Sequence, residues 1–297
     1  MPYLTTKDGC RIYYETQGFD QHAPYGSSIL PGREALPHGR APALQAGEIQ
    51  SVKPVVVFLN GTMQTTVYWK THALALKDRF RVLVYDARAQ GQSDLGEVKL
   101  SLEGHAENLA ELLKHLGVEK VNLVGMSHGA KVALAYASNF PERVARLVLC
   151  SVGAKHSCRA RLCVMSWLEI LKSSGLETFA WALLPVVFGE NFLQQKEGTL
   201  DNIVKAIVKR NSKEALIAQL EAMTAYPPLS KIVRNVHIPS LVISASDDPL
   251  VAEEGARELA LLCNGQHKHL NGIGHSIPAE APEVFNKTIL QFLCSDA

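Results

Sequence analysis

Gly125-Met126-Ser127-His128-Gly129 is the stretch of this chain best suited to covalent chemistry. A serine hydroxyl is a weak nucleophile until a base takes its proton and a fixed geometry presents it. Here glycines stand two residues to either side, keeping Cβ atoms clear of neighbouring chain in a sharp turn. The apolar run 121–124 precedes the turn, and the small-residue stretch 130–137 follows it with helical character. Strand, G-x-S-x-G turn and helix in that order make a nucleophile elbow. Ser127 then lies at a helix N-terminus, where unpaired N–H groups favour developing negative charge. A chance G-x-S-x-G rarely falls between a buried strand and a helix, so the context argues for nucleophilic chemistry.

An activated serine needs a base, and the base needs an orienting group. His275 in Gly272-Ile273-Gly274-His275-Ser276-Ile277-Pro278 is the expected base, because glycines and a proline put it on a loop before the last helix. Asp247 and Asp248 follow the apolar run 241–244 and compete for the role of acid. Ligands meet an open α/β sheet at the carboxyl ends of its strands, which is where both fall. An oxyanion needs two N–H donors. One is expected from His128, next to the nucleophile, and is its backbone N–H. The other is expected from the loop Asn60-Gly61-Thr62-Met63, with Thr62 first and Met63 second.

Positioning these groups requires a sheet. The runs Val55–Leu59, 82–85, 121–124, 147–150 and 241–244 are nearly continuous in apolar residues, as strands buried on both faces are. Leu109, Leu112, Leu113 and Leu116 follow helical spacing, as do apolar positions in 252–262 and 281–293. Alternation of this kind predicts an α/β fold with a mostly parallel, doubly wound sheet. Segments 4–7 and 11–16 flank Asp8-Gly9 and predict an N-terminal antiparallel hairpin. Residues 1–150 and 236–297 are expected to form the core. Within it, the Pro- and Gly-rich segment 19–53 lacks periodicity and is expected to be a mobile surface excursion. Residues 151–235 are helical in pattern and rich in bulky apolar side chains, as an inserted helical cap would be. Trp167 and Trp181 in that segment, with Met63 and Trp69 near the oxyanion loop, are candidate substrate contacts.

Composition excludes several roles. The 297 residues carry a formal net charge of +1, which makes no electrostatic case for nucleic acid or an anionic membrane. The basic cluster Lys205, Lys209, Arg210 and Lys213 reads as a solvated helix face. No run of uninterrupted apolar residues predicts a membrane span, and the N-terminus lacks the apolar core of a signal peptide. The six cysteines are dispersed, which fits free thiols in a cytoplasmic protein. Cys158 and Cys163 have no partner pair at zinc spacing, so no metal is expected. A homodimer is a compatible assembly.

Several further segments carry a family resemblance. Asn60-Gly61 with Trp69 resembles a His-Gly motif and its downstream Trp. The stretch 85–94 (YDARAQGQSD) resembles D-x-R-G-x-G-x-S, and Pro141-Glu142-Arg143-Val144 stands before a core strand. Residues 272–282 resemble G-x-G-H-x-x-x-x-E-x-P. Together with the elbow these are similar to the α/β-hydrolase family, in its capped esterase, lactonase and C–C hydrolase branch. The resemblance covers about 53–150 and 236–295. It implies the α/β-hydrolase fold, and it selects Asp248, since Ala245-Ser246-Asp247-Asp248 matches G-x-x-D with Ala245 for Gly. Asn60 departs from the usual His and Ala89 from the usual Gly, both near the oxyanion site. Serine at 127 separates the chain from haloalkane dehalogenases and epoxide hydrolases, which resemble it but carry Asp there. The implied activity is that of a cofactor-free serine hydrolase, cleaving a small-molecule carboxylic ester or lactone through an acyl-enzyme on Ser127. A thioesterase, a C–C bond hydrolase or a slow-turnover ligand receptor would use the same residues.

Overall fold

The structure is a computed structural model that describes residues 2–19, 53–233 and 236–295. Almost all of the excursion expected over 19–53 lies outside the described residues. Eight strands form one sheet among those described. They are β1 (Tyr3–Thr5), β2 (Arg11–Gln17), β3 (Val55–Leu59), β4 (Arg81–Tyr85), β5 (Val121–Met126), β6 (Val144–Cys150), β7 (Ser240–Ala245) and β8 (Gln266–Leu270). Their spatial order is β1-β2-β4-β3-β5-β6-β7-β8. The pairings β1 with β2 and β2 with β4 are antiparallel, and every later pairing is parallel. The hairpin turn is longer than the sequence predicts. β1 ends at Thr5, and Gly9 takes the left-handed conformation (φ 81°) that an L side chain resists.

Helices cover both faces. Next to the sheet lie α1 (Lys70–Leu76), α2 (Leu102–His115) and α3 (His128–Asn139). Between β6 and β7 come α4 (Cys158–Val187), α5 (Glu190–Lys196), α6 (Leu200–Arg210), α7 (Lys213–Thr224) and α8 (Leu229–Ile232). The chain then forms α9 (Glu253–Leu262), α10 (Ile277–Glu280) and α11 (Pro282–Leu293). Strand periodicity divides the core. Val55, Val57 and Leu59 pack with α2, α3 and α9, while Val56 and Phe58 pack with α1 and α11. Each fully buried Val, Leu or Phe in these layers contributes about 1.5–3 kcal/mol relative to exposure. Ser101 caps α2 by accepting the Gly104 N–H at 3.0 Å.

The helical insertion packs on itself. Trp167, Leu171, Phe179 and Leu183 of α4 meet Leu216 and Leu220 of α7, with Met63 and Leu250 of the sheet-end loops beneath them. By length and composition alone, α4 contains one window apolar enough to cross a membrane, with mean hydropathy 1.2. Scattered charges hide such a window from a search for uninterrupted apolar residues. The helix is broken at Gly175 (φ 83°, ψ −178°). All six cysteines are free thiols.

Candidate active site

Parallel register brings the carboxyl ends of the strands together. Leu59 of β3 pairs with Gly125 of β5, Met126 with Cys150 of β6, Cys150 with Ile243 of β7, and Ala245 with Leu270 of β8. Every loop that carries a candidate residue leaves this edge.

The β5–α3 turn holds Ser127 at φ 52° and ψ −111°, a strained conformation for a residue with a Cβ. Its glycines are required by close approach. A Cβ on Gly125 would lie 2.5 Å from the Gly129 carbonyl oxygen, and one on Gly129 would lie 2.2 Å from the Leu59 carbonyl oxygen. The Ser127 N–H donates to the Cys150 carbonyl at 2.8 Å, tying the turn to β6.

Ser127, His275 and Asp248 come together. Ser127 Oγ is 2.9 Å from His275 Nε2, and His275 Nδ1 is 2.7 Å from Asp248 Oδ2. An ionised carboxylate only accepts, so Nδ1 carries the proton and Nε2 is free to accept from the serine hydroxyl. The Asp248 side chain is fully buried, and its Oδ1 accepts from the Leu250 and Val251 N–H groups at 2.8 and 3.1 Å. Asp247 is exposed, and its carboxylate accepts only from the Ser246 hydroxyl among the described residues. The histidine loop is fixed from several sides. Ser151 Oγ donates to the His275 carbonyl at 2.6 Å, and the Ser276 N–H donates to Val187 at the end of α4 at 2.9 Å.

The loop after β3 is clamped by two glutamines. Gln64 Oε1 accepts the Gly61 N–H at 2.7 Å, and Gln90 Nε2 donates to the Gly61 carbonyl at 2.9 Å. Met63 has a left-handed backbone (φ 63°). Neither the Thr62 nor the His128 amide N–H has a hydrogen-bond partner among the described residues. The His128 ring faces inward, 3.2 Å from Tyr226 Oη, and burial holds its pKa well below the usual histidine value. Asn60, in place of a histidine, accepts from Trp69 Nε1 at 2.8 Å and donates to the Tyr85 carbonyl and to Asp86. Burial pushes the Asp86 carboxyl up to about 6, against three hydrogen bonds that favour its ionised form.

A cavity of about 330 Å³ opens over these groups. Thr62, Met63, Ser127, Trp167 and His275 all line it. Two candidate contacts do not. Trp69 is fully buried behind the loop after β3, where its ring stacks on Phe58 and its N–H serves Asn60. Trp181 faces away from the cavity and is 41% exposed. Tertiary packing explains both corrections, since residue type alone does not say which side of an element faces the cavity: Trp69 packs on Phe58 and Phe285 instead. Arg210, read from sequence as part of a solvated face, lines the cavity, whereas Lys205, Lys209 and Lys213 do not. Among the described residues no cluster of three metal-ligating side chains occurs.

Residues 54–173 match the α/β hydrolase fold family. The chain has the α/β-hydrolase fold. Solved structures of similar fold include an enol-lactonase from Burkholderia xenovorans LB400, with TM-score 0.81 and 23% identity over 99% of this chain and 100% of that one. A thermophilic esterase from Thermogutta terrifontis superposes with TM-score 0.77 and 23% identity, over 98% of this chain and 97% of that one. By sequence the chain is 26% identical over 254 residues to RutD of Caulobacter sp. (strain K31), named as a carbamate hydrolase, covering 83% of this chain and 93% of that protein. Sequence reasoning missed the groups that hold the loops. Glu280 Oε2 accepts from the Gly274 N–H at 2.9 Å and the Gly189 N–H at 3.0 Å, joining the histidine loop to the start of α5. The G-H-x-x-x-x-E spacing was the available signal. Gln64 and Gln90 left none, because their role depends on loop contacts across the sheet.

Proposed function

We propose that the chain is a serine hydrolase that cleaves a carboxylic ester or lactone through an acyl-enzyme on Ser127, with residues 151–235 as its cap. The observation that carries the reading is the continuous line from the buried Asp248 carboxylate through His275 to a serine at the cavity wall. Ser127 Oγ attacks the carbonyl carbon as His275 Nε2 takes its proton. The Thr62 and His128 amides, both unpaired among the described residues, hold the oxyanion. His275 then gives the proton to the leaving alcohol and draws one from water, which releases the acid. Asp248 fixes the tautomer and stabilises the imidazolium throughout. The cavity volume suits a medium-sized acyl or aromatic substrate better than a carbamate ion.

Hydrolysis of p-nitrophenyl esters from acetyl to dodecanoyl, with Ser127→Ala as control, tests the proposal. The expected result is turnover that peaks at one chain length and vanishes in Ser127→Ala. A folded wild-type protein that turns over none of them, or a mutant that keeps full activity, would overturn it.

A further inference from the structure

Every charged side chain lining the Ser127 cavity is basic. Lys131, Lys155 and Arg210 contribute to its wall, with His156 and His275 beside them, and no Asp or Glu among the described residues does. Lys155 is neutralised from outside the cavity, where its ammonium pairs with Glu258 at 2.8 Å. Arg210 is exposed and stands at the C-terminal end of α6.

Lys131 differs from both. It lies one turn along α3 from the nucleophile, and its backbone N–H donates to the Ser127 carbonyl at 3.2 Å. Only 9% of the residue is exposed. Its ammonium takes part in none of the ion pairs or side-chain hydrogen bonds among the described residues. Burial lowers its pKa to about 8, which still leaves it largely charged near neutral pH. Cavity water can solvate that charge in the free protein. A neutral substrate filling the cavity would displace the water and strand the ammonium, whereas an anionic one would pair with it.

We infer that the substrate of this site carries a carboxylate, which Lys131 pairs with inside the cavity and Arg210 attracts at its mouth. The inference rests on the serine-hydrolase reading and narrows its substrate class. The same arrangement selects against uncharged esters of equal size, because they leave a buried cation unpaired.

Two substrate pairs test it on the full chain. p-Nitrophenyl hydrogen glutarate against p-nitrophenyl valerate puts the charge on the acyl side. 4-Acetoxybenzoate against phenyl acetate puts it on the alcohol side. In one pair the wild type should prefer the anion by roughly 10- to 100-fold in kcat/KM, the size of a charge-assisted contact. Lys131→Met should collapse that ratio, and Lys131→Arg should keep part of it. Arg210→Gln should lower kcat/KM for the anionic ester at low salt, with the deficit shrinking as salt is raised. Preference for the neutral ester in both pairs, or an unchanged ratio in Lys131→Met, would overturn the inference while leaving the hydrolase reading intact. Failure of the folded wild type to cleave any of the four esters would count against the hydrolase reading itself.

Discussion

Two adjacent aspartates separate cleanly at the scale of single residues. Asp248 is buried and bonded to His275 Nδ1, while Asp247 is exposed and reaches only Ser246. Asp248→Asn should cut turnover by about 10⁴, the loss seen when a serine-protease triad loses its acid. Asp247→Asn should stay within a few-fold of wild type, and steady-state kinetics that reversed the two effects would refute the assignment. Lys131 makes a prediction about stability. Its folded pKa of about 8 lies below the value near 10.4 of an unfolded lysine. Between those values the unfolded chain holds a proton that the folded chain has released, so stability from this group rises with pH across that window. Lys131→Met should therefore be more stable than wild type near pH 7, by about 1–3 kcal/mol. Urea unfolding should show that gap narrowing from pH 7 to pH 10, and a gap independent of pH would contradict the account.

The elements explain how much could be read in advance. β3, β5 and β7 are wholly buried, and their continuous apolar runs announce them. β8 reads Gln266-His267-Lys268-His269-Leu270 and sits at the sheet edge, so no apolar run marks it. The meeting of Ser127, His275 and Asp248 was legible because the elbow, the acid loop and the histidine loop each keep a local pattern. The glutamine clamp on Gly61 and the burial of Trp69 were not, because they depend on which loops meet across the sheet. The elbow glycines are a prediction at this scale. Gly129→Ala forces a methyl group against the carbonyl end of β3, so overpacking should cost about 1–3 kcal/mol. A thermal melt should fall by roughly 2–10 °C, with turnover reduced because Leu59 leads into the oxyanion loop. An unchanged melting temperature would mean that the two segments do not touch as described.

For the molecule as a whole, the sheet and the insertion divide the work. Strand ends hold Ser127, Asp248, His275 and the loop after β3 in fixed register, while α4 and α6 supply much of the apolar wall above them. Val187 and Gly189 bond to the histidine loop and to Glu280, so the insertion is fastened to the loop that carries His275. The apolar insertion was visible in composition, but the basic lining of the cavity was not. Lys131 and Arg210 stand 79 positions apart in the sequence and share a wall only through the fold. All of these parts serve one claimed event, the transfer of an acyl group to Ser127. The most direct test is intact-protein mass spectrometry of an acid-quenched reaction with an activated ester, followed by peptide mapping. The account predicts one acyl adduct on the peptide containing Ser127, absent from Ser127→Ala. Steady turnover with no adduct, or an adduct on another residue that persists in Ser127→Ala, would contradict it.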